Sequence, residues 1–460
     1  MTTHVNHKKY LEYDVVIIGA GVSGAAQAYV LAKYSNVQRV ALIEKESEAG
    51  MINSSPLNNS QTLHEGDIET NYNLVKAKAV QHKAWFTRSY VGRIREDGLS
   101  LSGPKMVLGV GSAEVSFLSN RFSEFSELYP TLKKFGKFEI AKHEPKLLEG
   151  RSPNEEVIAL YNPDGLTINF AKLAKSLVRE AVAEFGASSE RSLDTFFGTE
   201  VIEIRQHSVG YEIVTKDKVI YTRFLSISAG AHSMYFAKLL KIDSAKNLSL
   251  LNVAGNFYHT PRLLNGKVYT VQNPILPFSA VHGDPDILDG AKTRYGPTTR
   301  IVFTLERRKL STFLDYLATM KPFFGSVRAY LRILSDSSFF WYACKHNLLF
   351  PLPYLGKVLF AREVRKIIPS ITVKDITLAK GQGGVRPQIV DTKAKNPLNL
   401  GEAKLSGKNV LFNVTPSPGA TTCIYNALVD VLAITNSLNA SFYETKIKQD
   451  FGRGINLESH

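Results

Sequence analysis

The stretch YDVVIIGAGVSGAAQAYVLAKY near the N-terminus leaves this chain little choice of fold. Its apolar run, 14–18, suits a strand buried on both faces of a parallel sheet. Gly19, Gly21 and Gly24 follow in a G-x-G-x-x-G pattern. The first glycine permits a tight turn, the second lets backbone approach a pyrophosphate, and the third lets the next helix sit close on the strand. That helix then offers unpaired N–H groups to phosphate. A second apolar run, RVALIEK, ends in Glu44, about 20 residues beyond Gly24, the spacing expected of a ribose-binding acid. The glycines alone fit a turn without a ligand; strand, turn, helix and acid in series point to a dinucleotide.

Two distant segments bear on which dinucleotide. FGTEVIEIRQHSVGYEIVTKDKVIYTRFLSISAGAHS alternates apolar and polar residues as strand, turn, strand, and closes on a small-residue turn at 228–231. LFNVTPSPGATTCIYNALVDVLA reads as strand, Pro/Gly turn and helix, with Ile424, Ala427, Leu428, Val431 and Leu432 on its buried face. A helix N-terminus near 419–422 suits the negative charge of a reduced flavin. Either segment alone reads equally well as an ordinary strand turn. Only Cys344 and Cys423 are present, without a CxxC, which argues against an iron–sulfur cluster, a cysteine zinc site or a disulfide framework. The cytoplasm is the expected compartment, and the sequence holds no run of about 18 apolar residues, the length a bilayer-spanning helix needs.

These features resemble the D-amino-acid-oxidase-like FAD oxidoreductases. Within them, NSSPLNNSQTLHEGDIETNYNLVKAKAV, DGLTINFAKLAKSLVREA and AKGQGGVRPQIVD look like malate:quinone oxidoreductases, and the resemblance spans roughly 13–432. It implies an α/β fold: a Rossmann-like FAD-binding domain of the GR2 type with an inserted α+β substrate domain carrying a mostly antiparallel sheet. It implies FAD contacts from Gly19, Gly21, Ser23 and Gly24, from Glu44 and Lys45, and from Ser60, Gln61 and Thr62 along the ring. Val201, Ala229 and Gly230 would add a middle wall, and Pro418, Gly419, Ala420 and Thr421 the helix end. The implied reaction is oxidation of L-malate to oxaloacetate, with electrons passed to a membrane quinone, joining the tricarboxylic acid cycle to respiration.

The stretch VHGDPDILDGAKTRYGPTTR, 281–300, gathers a histidine, three aspartates and two arginines. The resemblance places His282 over the flavin as base, with Asp284 nearby; neutral histidine has a suitable pKa for taking a hydroxyl proton. Gly283 and Pro285 interrupt any regular face, so a metal site is disfavoured, and Asp286 and Asp289 read as turn caps. A dicarboxylate needs a cationic clamp, and arginine's planar fork matches one. Arg386 in GGVRPQ is the first choice, Arg294 and Arg300 weaker ones, Lys292 weaker still. His64 is a second histidine for the same role, or a helix-capping one.

The net charge of +14 implies an anionic partner. Residues 307–366 carry 11 Lys/Arg against 3 Asp/Glu, and 12 of the chain's 47 aromatics. Phe313, Leu317, Met320, Phe324, Val327, Leu331 and Leu334 recur at helical spacing, with Pro322 starting or kinking a helix. Aromatic and apolar groups beside Lys/Arg are what interfacial anchoring on anionic lipid uses; a core-packing helical pair is the plain alternative. Peripheral attachment to the inner face of the cell membrane is the expectation. The FAD domain is expected at 1–80, 150–240 and 370–440, and the substrate domain at 81–149 and 241–369, with a tail at 441–460 whose last stretch, FGRGINLESH, has no readable structure. Two rivals stand: a dehydrogenase or oxidase of another L-2-hydroxy acid, such as 2-hydroxyglutarate, or of an amino acid; and an RNA-modifying flavoprotein, for which no nucleic-acid-binding motif is present.

Overall fold

The computed structural model describes residues 9–273, 280–399, 402–416 and 418–455. Residues 1–8 of the expected FAD domain, Ser417 of the C-terminal turn and 456–460 of the tail lie outside the described residues.

The fingerprint strand is longer than its apolar run, Lys9–Ile18, and pairs in parallel with Lys218–Ile227 on one side and Arg39–Ile43 on the other. Ser192–Phe196 extends the sheet beyond Arg39–Ile43, Val410–Val414 beyond Lys218–Ile227, and Ala403–Gly407 caps that edge antiparallel. The alternating segment around 203–227 forms an antiparallel hairpin onto Lys218–Ile227. Helix Val22–Tyr34 is alanine-rich and buried along nearly its whole length, so it packs tightly between the sheet and helices Phe170–Gly186 and Cys423–Leu438. A buried polar knot ties these layers: Gln27 and Asn413 both donate to Asp430, and Ser226 donates to Gln27. Each of these donors is satisfied, so the knot orients the layers.

A second sheet runs Thr377–Leu378, Tyr258–Pro261, Lys292–Gly296, His282–Pro285, Lys267–Thr270, Lys105–Val110, Val157–Asn162, Lys133–Phe135; only the pair Lys267–Thr270 with Lys105–Val110 is parallel. A third joins Arg300–Ile301, Leu248–Ala254, Val385–Asp391 and Leu398–Asn399. Two strands therefore lie apart from the nucleotide sheet although their sequence neighbours belong to it: Val157–Asn162 pairs with Lys105–Val110, and Val385–Asp391 with Leu248–Ala254. Residues 299–306 hold only the two-residue strand Arg300–Ile301. The tail holds a helix, Glu444–Phe451, closed by Gly452 in the left-handed region and anchored by buried Phe451 and a bond from Tyr34 to Asp450.

The glycines of the fingerprint differ in what they do. Gly19 sits at φ +99°, where a Cβ would lie 2.5 Å from the Ser228 carbonyl oxygen, and a Cβ on Gly24 would lie 1.9 Å from the Gly19 oxygen. A Cβ on Gly21 would meet only Ser54 Oγ, at 3.3 Å. Gly24→Ala is therefore expected to cost about 1–3 kcal/mol of stability by overpacking, and Gly21→Ala far less; thermal unfolding of the two variants side by side checks the contrast.

Candidate active site

A cavity of about 640 Å³ runs from the ends of the parallel strands to the strand carrying Arg386, within the size range of cofactor sites. At one end stand Gly19, Gly21 and Ser23, then Glu44, Lys45 and Val201. Glu44 is fixed rather than free: its carboxylate accepts the N–H groups of Ala20 (2.7 Å) and Glu46 (3.0 Å). Lys45 pairs with Glu306. Ala229 and Gly230 form the middle of the wall, and Pro418, Ala420 and Thr421 the other end, just before helix Cys423–Leu438. Gln61, Gly24 and Gly419 do not line the cavity; Gly24 holds the helix against the turn behind it.

The polar loop 53–62 forms the long wall, and its shape is imposed from behind. Gln61 is buried at φ +56°, donating to the Pro56 carbonyl (2.9 Å) and Asp286 (3.3 Å) while accepting the Ile287 N–H (3.2 Å). Arg294, fully buried, donates to the carbonyls of Pro56 (2.8 Å) and Asn59 (3.0 Å), and Lys267 to that of Ser60 (3.2 Å). Both cations lie near Asp284, at 3.4 and 3.6 Å. Asp284 is wholly buried, and His282 Nε2 sits 3.4 Å from its other oxygen. His282 stacks on Tyr269 with ring centroids 4.8 Å apart. Burial above all, then Lys267, Arg294, Arg386 and His64, hold this imidazole well below its ordinary pKa, so it stays neutral. Burial pushes Lys267 down to about 8, with Asp284 partly offsetting it.

The structure thus divides the sequence candidates. His282, Asp284 and Arg294 do not line the cavity; they lie behind it, in the hairpin that buttresses the loop. Arg294 stands furthest from its expected place: its side chain is fully buried outside the cavity lining, with Nη1 and Nη2 on backbone carbonyls. Asp286 and Asp289 accept the N–H groups of Leu288 and Ala291 at their turns. His64 and Arg386 do line the cavity. Arg386 is half-buried on its strand, and the glycines before it dock on the polar loop: Gly383 donates to the Leu57 carbonyl and Gly384 to that of Asn58. His64 Nδ1 lies 2.6 Å from Glu69 and its Nε2 3.2 Å from Ser60 Oγ. Its own N–H donates to Thr421 Oγ1 (3.0 Å). Glu69 and Lys267 escaped the sequence reading, although an acid five residues after His64 and a lysine within the inward-facing run GKVYTV were visible.

The residues present fit FAD. The backbone at Gly21 leaves room for a pyrophosphate, Glu44 stands where a ribose would bind, and the cavity continues past Ala229 to the polar loop. Among solved structures, the fold is similar to the dithionite-reduced L-alpha-glycerophosphate oxidase of Mycoplasma pneumoniae with FAD bound: TM-score 0.65, 16% identity, covering 92% of this chain and 95% of that one. It is also similar to glycine oxidase of Geobacillus kaustophilus: TM-score 0.63, 18% identity, covering 93% and 95%. Fold and cavity together define an FAD-dependent flavoprotein of the D-amino-acid-oxidase type. The sequence matches the family malate:quinone oxidoreductase over residues 11–451. It is 39% identical to a probable malate:quinone oxidoreductase of Campylobacter jejuni, covering 95% of this chain and 99% of that protein. It is 39% identical to malate:quinone oxidoreductase of Helicobacter pylori, covering 96% and 98%. The chain belongs to the malate:quinone oxidoreductase family.

Removing Arg294 leaves Asp284 buried with a weaker partner and frees two loop carbonyls. Arg294→Met is expected to lose about 3–5 kcal/mol of stability and to weaken FAD binding, read by denaturant unfolding and by fluorescence titration of the apoprotein with FAD.

Proposed function

We infer that the protein oxidises L-malate to oxaloacetate with FAD and passes the electrons to a quinone while attached to a membrane surface. The observation that carries this reading is family membership across nearly the whole chain, joined to a cavity wall that presents His64 and Arg386 together. Bound FAD supplies the two-electron acceptor for the hydrogen on C2. What the chain adds is grip, orientation and a place for a proton. Arg386, a cation on the cavity wall, is the group that would bind one substrate carboxylate. The polar loop keeps its course along the cavity because its backbone is held by Arg294, Lys267 and Gln61 from the other side and by Asn59 from within.

Residues 307–366 support attachment to lipid. They fold as helices Phe313–Thr319, Phe323–Leu334, Ser337–Cys344 and Pro353–Val364. Helix Phe323–Leu334 starts at the expected proline and buries Ser326, Ala329 and Ile333, whereas its larger apolar residues point outward: Phe324 is 91% exposed and Leu331 63%. Leu310 at 82%, Leu314 at 72% and Trp341 at 70% continue the pattern. Of the helical stripe read from sequence, Met320 is core, but Phe313, Phe324 and Leu331 are not. Exposed Arg308, Lys309, Lys321, Arg328 and Arg332 intersperse with these groups. Bulky apolar groups facing out among cations suit insertion into an anionic leaflet, with the cations at the headgroups. The inner face of the cell membrane fits that charge. No helix among the described residues is long and apolar enough to cross a membrane.

Anaerobic titration of the yellow protein tests the substrate: L-malate is expected to bleach the flavin, and 2-hydroxyglutarate or amino acids are not. Arg386→Ala is expected to lower kcat/KM for malate by about 10²- to 10³-fold, with FAD retained. For the surface, Leu310→Asp with Phe324→Asp is expected to abolish sedimentation with anionic vesicles and the quinone-dependent rate. The rate with a water-soluble dye should persist; loss of both rates together would contradict the surface role.

A further inference from the structure

Two histidines compete for the proton of the substrate hydroxyl, and their surroundings differ in sign. His282 is buried behind the cavity wall, with Lys267, Arg294 and Arg386 opposing its protonation. His64 is on the wall, and a carboxylate stands behind it: Glu69 Oε1 is 2.6 Å from Nδ1. Resting on the reading of the site given above, we propose that His64 is the catalytic base and that Glu69 is the positioning residue that fixes its tautomer and ring orientation.

Glu69 is built for that task. Its second oxygen accepts the Gly66 N–H at 2.8 Å, and Arg121 holds the Gly66 and Glu69 carbonyls (3.2 and 2.8 Å) from helix Ser112–Phe125. Burial opposes its charge, but the hydrogen bond and charge of His64, with Lys105 and Gly66, hold its carboxyl below the ordinary range. An ionised Glu69 can only accept, so Nδ1 carries the proton and Nε2 presents a lone pair toward Ser60 and the cavity. The charged and titratable groups facing the pair are Lys105 on its strand, Arg121 on its helix, Asp67 in its own loop, Tyr72, Tyr129, and Tyr269 and His282 from the antiparallel sheet. Lys105 is itself bound by Glu65 (3.0 Å) and Asp67 (2.9 Å), which leaves Glu69 the carboxylate in contact with His64.

In the step, the hydroxyl O–H bond breaks and its proton passes to His64 Nε2. The C2–H bond breaks with its electron pair leaving as hydride to the flavin, the oxidant, and the C2–O bond becomes a carbonyl. The new imidazolium is stabilised by Glu69 on its far side. His282 keeps a structural place, stacked on Tyr269, whose hydroxyl lies 2.5 Å from Thr62 Oγ1 on the loop.

The first test needs no turnover. In apoprotein labelled with ¹⁵N-histidine and kept mildly alkaline, the His64 ring, identified by its loss in His64→Gln, is expected as the Nδ1–H tautomer. An Nε2–H tautomer would overturn the proposal. The second is anaerobic stopped-flow reduction by L-malate. His64→Gln is expected to slow it by about 10²- to 10⁴-fold. Glu69→Gln should slow it less, about tenfold or more, and move the acid limb of its pH profile to lower pH, because losing the carboxylate disfavours the imidazolium. A Glu69→Gln profile identical to wild type would sink the positioning role. Failure of wild-type protein to be reduced by L-malate counts instead against the substrate assignment, and the tautomer then decides the positioning claim alone.

Discussion

Arg294 reaching from one sheet to the carbonyls of Pro56 and Asn59 is the contact on which the site depends. The loop that borders the flavin cavity has few apolar residues and no ladder partner along most of its length. Left to itself, its backbone would prefer water. Arg294, Lys267 and Gln61 satisfy it from the protein side, and Asn59 binds two of its carbonyls from within, so the loop stays folded along the cavity. Because a buried carbonyl without a partner is costly, the loop has one favourable resting place.

That solution puts two cations in the interior, and Asp284 answers them. One carboxylate between Lys267 and Arg294 leaves an excess of positive charge; it adds to burial in keeping His282 neutral, while burial, partly offset by Asp284, pushes Lys267 down to about 8. The same excess suits a wall that must receive a dianionic acid, with Arg386 as its half-buried outlet. On the other side, Glu69 and Gly66 organise His64 within a segment rich in carboxylates. Positive potential for the substrate and a carboxylate behind the histidine thus come from different elements that meet at Thr62, His64 and Arg386.

The nucleotide half was legible because its chemistry is local. Gly24 packs on the Gly19 carbonyl and Glu44 binds the Ala20 N–H, both within the first strand–turn–helix–strand unit, so spacing reveals them. The cluster in 281–300 was visible but not its direction: a period-two strand leaves open whether Arg294 faces a cavity or a loop behind it, and only the pairing of Asp284 with Arg294 across the hairpin decides. Glu69 went unread because its partner is fixed by a bent, irregular loop rather than a helix or strand period. The basic aromatic segment was legible as helices, yet its packing was not; Ser326 and Ala329, not Phe324 and Leu331, turned out to face the protein, since small residues allow the close approach there.

The most direct measurement is a crystal structure of the FAD-loaded protein with oxaloacetate bound. The account predicts the Arg386 guanidinium and His64 Nε2 within hydrogen-bond distance of the same acid, with Arg294 still on the carbonyls of Pro56 and Asn59. An acid held instead by His282 or Arg294, with the loop displaced to admit it, would contradict the account.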